Sequence, residues 1–127
     1  MKEHFINYNQ ALALKEIGFD EPCIARYIIP GDLVFKGCYE DSNIIHLELT
    51  QNDICEAHVL APLKSQVFKW FRDEHNINHV IDKHRKFGFC IQLWNNLTCL
   101  GEFDEIKTYE KAESACIDKL IELIKKK

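Results

Sequence analysis

Apolar residues recur at helical spacing in three stretches of this chain, and between those stretches apolar and polar positions alternate as they do in strands. Near the start, Tyr8, Ala11, Leu12, Leu14 and Ile17 mark one face of a helix. Asn7 offers an N-cap oxygen, and Gly18 suits the left-handed position just past the end. Phe19 is expected to fold back on Leu14, while Asp20-Glu21-Pro22 stops the helix, because Pro lacks an amide hydrogen and holds Glu21 extended. At the other end Thr108 caps a helix in which Tyr109, Ala112, Cys116, Leu120 and Leu123 join Ile117, Ile121 and Ile124 in a wide apolar face. Both helices begin with Tyr and place Ala three residues later, but the intervening segments do not match, so no duplication is inferred. A middle helix follows Pro62, with Val67, Phe68 and Phe71 as its stripe, Lys64, Lys69, Arg72 and Asp73 in water, and Asn76 as terminator.

The remaining segments read as strands. Cys23 to Ile29 and Leu33-Val34-Phe35 flank the turn residues Pro30-Gly31-Asp32 and predict a hairpin. Further strands are expected at Ile44 to Leu49 and Ile54 to Leu60, separated by a turn at Gln51-Asn52-Asp53, and at His79 to Lys83. Phe87, Phe89, Ile91 and Leu93 alternate with Gly88, Cys90, Gln92 and Trp94, and Asn95-Asn96 then forms a two-residue loop into Leu97 to Leu100. The pattern predicts one α+β domain over residues 1–127, with an antiparallel sheet of about four to six strands and helices packed on one face.

A length of 127 residues with 46% apolar content suffices for one sizeable core. No apolar run suits a signal peptide or a membrane span, which predicts a cytoplasmic protein. The cysteines, Cys23, Cys38, Cys55, Cys90, Cys99 and Cys116, are scattered through patterned elements and read as buried free thiols rather than a disulfide scaffold. A net charge of −4 argues against nonspecific nucleic-acid binding, and Lys125-Lys126-Lys127 is explained by the dipole of the helix it ends.

No catalytic constellation is evident. Cys55 and His58 have C-x-x-H spacing and His75, His79 and His84 cluster, but no second close ligand couple completes a zinc site, so no metal or other cofactor is expected. No cysteine has a neighbouring base, the acidic pairs Asp20-Glu21, Asp73-Glu74 and Asp104-Glu105 fall at loop and helix ends, and the glycines form no phosphate loop. The chain is not expected to be an enzyme. Phe87 and Phe89 behind Arg85 and Lys86 have the composition of single-strand RNA readers, yet that face is apolar enough to belong to a core.

Binding without chemistry is the remaining class. Trp94 falls on the strand face opposite Phe89, and Trp70 lies beside the stripe of Phe68 and Phe71, so either is a candidate interface anchor. Arg26, Arg72, His84 and Arg85 are candidate polar contacts for a small ligand or nucleotide.

Three segments together carry a family resemblance: Ala11-Leu12-Ala13-Leu14-Lys15-Glu16-Ile17-Gly18-Phe19-Asp20-Glu21-Pro22-Cys23, Ala61-Pro62 with Val67-Phe68-Lys69-Trp70-Phe71-Arg72, and Thr108-Tyr109-Glu110-Lys111-Ala112 continuing into Ala115-Cys116-Ile117-Asp118-Lys119-Leu120-Ile121. The chain resembles short uncharacterised proteins of Bacteroidetes bacteria, their prophages and phages. Where members often place a hydroxyl N-cap after Ala-Pro, this chain has Leu63. The resemblance implies no activity and no site residues; it implies an accessory protein of mobile elements. The expected function is therefore noncatalytic binding to a host protein, with a small-ligand or nucleotide-sequestering protein as the alternative, and a homodimer as the favoured assembly.

Overall fold

A computed structural model of the chain describes residues 4–28, 32–35, 59–84, 86 and 88–126. Among them are three α-helices and six strands, in the order α1 (Tyr8–Glu16), β1 (Ala25–Ile28), β2 (Asp32–Phe35), β3 (Val59–Leu60), α2 (Lys64–His75), β4 (Asn78–His84), β5 (Gly88–Asn95), β6 (Thr98–Ile106) and α3 (Tyr109–Lys125). The fold is α+β with antiparallel strands, and the strands are shared between two three-stranded sheets. The length reads as one domain; the chain clusters as two compact units, Met1–Leu63 and Lys64–Lys127. The predicted strand at Ile44 to Leu49, the turns at Pro30-Gly31 and Gln51-Asn52-Asp53, and the Cys55–His58 pair lie outside the described residues.

In the first unit, local chemistry fixes α1 at both ends. Asn7 Oδ1 accepts from the Gln10 amide at 2.8 Å while Gln10 Oε1 accepts from the Asn7 amide at 3.0 Å, closing a capping box. Gly18 takes φ +97° past the C-cap Ile17, and the Phe19 amide reaches the Leu14 carbonyl at 3.0 Å, the predicted Schellman closure. β1 is the central strand, antiparallel to β2 (Arg26 opposite Val34) and to β3 (Arg26 opposite Leu60). Tyr27 seals this unit: its buried ring meets Tyr8 edge-on at 5.6 Å, and its hydroxyl donates to the Ile6 carbonyl. Burial raises the Tyr27 pKa, which keeps that hydroxyl a donor.

In the second unit, β4, β5 and β6 form an antiparallel meander, with His79 opposite Leu93, Ile81 opposite Ile91, and Ile91 opposite Phe103. α3 lies across all three strands and α2 packs on β4 and α3. Ile91, Leu93, Val67, Phe71, Cys116, Ile117 and Leu120 fill the core between the helices and one face of the sheet. The Thr108 hydroxyl accepts from the Lys111 amide at 3.1 Å, as the N-cap predicts.

Several expectations are corrected. Lys64, expected in water, is buried, because residues 64, 67, 68 and 71 stand at i, i+3, i+4 and i+7 and its aliphatic stem follows the apolar face. The hairpin loop is Asn96-Leu97, one residue later than predicted, since Asn95 pairs with Thr98 and the positive φ (53°) falls on Asn96. β6 runs on past Leu100 to Ile106. Bulges between Leu93 and Trp94 and between Phe89 and Ile91 let it do so, by absorbing residues that break the alternation.

Candidate functional site

The bulge near Trp94 builds a concave feature of the second unit in which apolar and charged groups converge. Leu93 pairs with Gly101 and Trp94 with Cys99, so Leu100 is the extra residue on β6. A bulge turns consecutive side chains toward one side, and Leu100 accordingly joins Leu93, Phe103 and Leu123 as a wall of a groove between α3 and the sheet. Gly101 supplies the floor space. A Cβ at that position would stand 3.1 and 3.2 Å from the Phe103 ring, so the ring lies where a side chain would otherwise project. The cavity measures about 220 Å³.

Lys119, Glu122 and Lys126 of α3 complete the lining. Lys126 Nζ lies 3.1 Å from one Glu122 oxygen and Lys119 Nζ 3.6 Å from the other, while the Lys119 ammonium also stands 4.7 Å above the Phe103 ring centroid. The hydrogen bond and charge of Lys126, with the charge of Lys119, hold the Glu122 carboxyl below its ordinary range. Two ammonium groups thus share one carboxylate at the rim of an apolar groove.

The residues singled out in the sequence do not assemble there. Trp70 is buried, its ring 5.0 Å from Phe71 and 4.8 Å from His75, both near edge-on. It is core and not a surface anchor, because it stands at i+3 from Val67 and so belongs to the stripe it was read as flanking. Trp94 is half-buried on the sheet face away from α3, where Nε1 donates to Gln92 Oε1 at 3.3 Å. Arg72 is exposed beside His79, and its charge, after burial, lowers the His79 pKa. Arg26 belongs to the first unit, where its Nε is buried with no hydrogen-bond partner among the described residues. The His84 side chain, Arg85 and Phe87 lie outside the described residues.

Two of the histidines named for metal binding, His75 and His79, pack against aromatic rings. His79 stacks on Phe68 at 3.8 Å with the planes 12° apart, and His75 packs against Trp70 and Phe71. Among the described residues no three His, Cys, Asp or Glu side chains converge as metal ligands, and no helix is long and apolar enough to cross a membrane. The four cysteines among the described residues are free: Cys23 and Cys116 are buried, whereas Cys90 is half-buried on the Trp94 face and Cys99 is exposed on β6, correcting the expectation for those two. Burial, with the Glu113 charge second, pushes the Cys116 thiol up to about 12.

Sequence reasoning missed the groove. Its one linear signal was Leu100-Gly101, where the alternation of β6 breaks. No protein-family model, curated protein or solved structure matches this chain.

Proposed function

We propose that this is a noncatalytic binding protein that engages a partner protein through the tip of the β5–β6 hairpin. Leu97 carries the reading: it is 95% exposed at the summit of a turn held by the Asn95–Thr98 pair. A backbone held in a tight turn loses little further freedom on docking, and burying a leucine stabilises a complex by about 1.5–3 kcal/mol. Glu102, Asp104 and Glu105 are exposed along the strand that follows the tip. A second copy pairing along β6 would bring those carboxylates together, which disfavours a homodimer through this edge. The fitting partner offers an apolar socket flanked by basic side chains. With the resemblance to short phage and prophage proteins, this describes an accessory protein that acts in the cytoplasm on a component of the bacterial host.

The test compares wild type and Leu97→Asn as baits in host lysate, with native mass spectrometry of each. A partner held by wild type and weakened at least tenfold by Leu97→Asn supports the reading. Equal retention of every partner by both baits sinks it.

A further inference from the structure

The groove between α3 and β6 has a chemistry that the hairpin tip does not share. Its inner walls, Leu93, Leu100, Phe103 and Leu123, are hydrocarbon, and its rim carries two lysines on one glutamate. We propose that this groove binds a small amphiphilic monocarboxylate, an aliphatic acid with its tail on the leucines and its carboxylate at the ammonium groups of Lys119 and Lys126.

Charge selects the headgroup. Glu122 neutralises one positive charge of the two, so the rim keeps an excess of one, in a chain whose net charge is −4. Lys119 is held from below by the Phe103 ring and from the side by Glu122, and Lys126 is held by the other oxygen of the same carboxylate. Both ammonium groups therefore stand at the same rim, where a carboxylate entering the groove can reach them. A cation would meet the same excess charge as repulsion, and a bare inorganic anion would leave the leucine walls wet. Glu102, the nearest acid of β6 in sequence to Gly101, pairs with Gln92 and so falls on the other face of the sheet.

Size selects the tail. A volume of about 220 Å³ corresponds to roughly seven water molecules at ~30 Å³ each, which suits a buried hydrocarbon body of about six to eight carbons. Construction of the site points the same way: the bulge turns Leu100 into the groove, and Gly101 leaves room for the Phe103 ring, which a Cβ there would crowd at 3.1 Å.

The test is a titration of the intact chain with sodium octanoate, with 1-octanol and acetate as matched probes, followed by backbone amide chemical shifts. Saturable shifts centred on Leu100, Phe103, Lys119 and Leu123, with octanoate at least tenfold tighter than 1-octanol and no saturation by acetate, are the expected result. The double variant Lys119→Met, Lys126→Met should bring octanoate down to the affinity of 1-octanol while 1-octanol is unchanged, which shows that the groove itself is intact. Leu97→Asn should bind octanoate as wild type does, so the outcome is independent of protein docking at the hairpin tip. The proposal is overturned by equal affinity for the alcohol and the acid, by shifts centred elsewhere, or by no saturation at millimolar octanoate. It is equally overturned if the chain self-associates, Leu100→Asp abolishes the association, and octanoate does not bind, since the groove is then occupied by a second copy.

Discussion

Asn76 and Asn96, one at the end of α2 and the other in the β5–β6 turn, share a left-handed backbone with φ 53° and join their side chains at 3.2 Å, Asn76 Nδ2 donating to Asn96 Oδ1. Each is an asparagine for two reasons: it tolerates the positive φ, and it supplies the amide that clamps helix end to hairpin. Asn96→Ala is expected to cost about 1–2 kcal/mol, and Asn96→Gly about half as much, because glycine keeps the backbone and loses only an exposed hydrogen bond. Urea denaturation of both variants checks the order. Equal losses would mean that the side-chain bond, and not the backbone, dominates.

Two glycines with positive φ should behave differently. Gly88, at φ +75°, faces the Ile106 carbonyl so closely that a Cβ would stand 2.5 Å from its oxygen, whereas Gly18, at φ +97°, has nothing within 4 Å of that position. Gly88→Ala is expected to destabilise by about 2–4 kcal/mol, the sum of a conformational cost and a backbone clash, and Gly18→Ala by about 1 kcal/mol. Thermal unfolding of the two variants compares them directly.

His79 gives the second unit a pH dependence of definite sign. Burial against Phe68, and then the Arg72 charge, lower its pKa from 6.5, so the folded state resists protonation that the unfolded chain accepts. Stability from this group is complete above about pH 6.5 and is lost as pH falls toward the folded pKa. His79→Phe should flatten the decline in urea midpoint between about pH 7 and 5.5, and Arg72→Gln should lessen it. A decline unchanged in His79→Phe would assign it to other groups.

Thiol reactivity should separate Cys99 from Cys116. Cys99 is exposed on β6, with its Sγ 3.6 Å from the Gly101 carbonyl, while Cys116 is buried in α3 with its thiol pushed up to about 12. Iodoacetamide at neutral pH should label Cys99 in the native protein and reach Cys116 only after denaturant is added, as peptide mass spectrometry can follow. Native labelling of Cys116 at the rate of Cys99 would show that α3 opens readily.

Cap residues made the helices legible in the sequence, because Asn7, Gly18 and Thr108 act on backbone groups within three residues of themselves. The strands of the β4–β5–β6 meander were legible as far as their alternation held. What the sequence did not disclose was set across space: the sharing of strands between two sheets depends on long-range pairings such as Arg26 with Leu60. Trp70 and Lys64 were misplaced because the α2 stripe was read too narrowly, although helical spacing puts both on the face of Val67. The groove was hidden because a bulge is a mismatch between two strands, visible only when the register of Leu93 and Trp94 against β6 is known.

The pairing of β1 with β3 also orders events during synthesis. β5 and β6 meet across a two-residue turn, Asn96-Leu97, whereas β1 gains its second neighbour only when Leu60 has been made and can return to Arg26. The entropy of closing a loop rises with the logarithm of its length, so the hairpin closes at small cost and the Arg26–Leu60 ladder at a larger one. On the ribosome, β1 and β2 must wait as a hairpin with an open edge until the chain has grown well past them. That interval is when this protein is most exposed to wrong partners, and shielding of nascent β1 by a chaperone would raise the yield of folded chain.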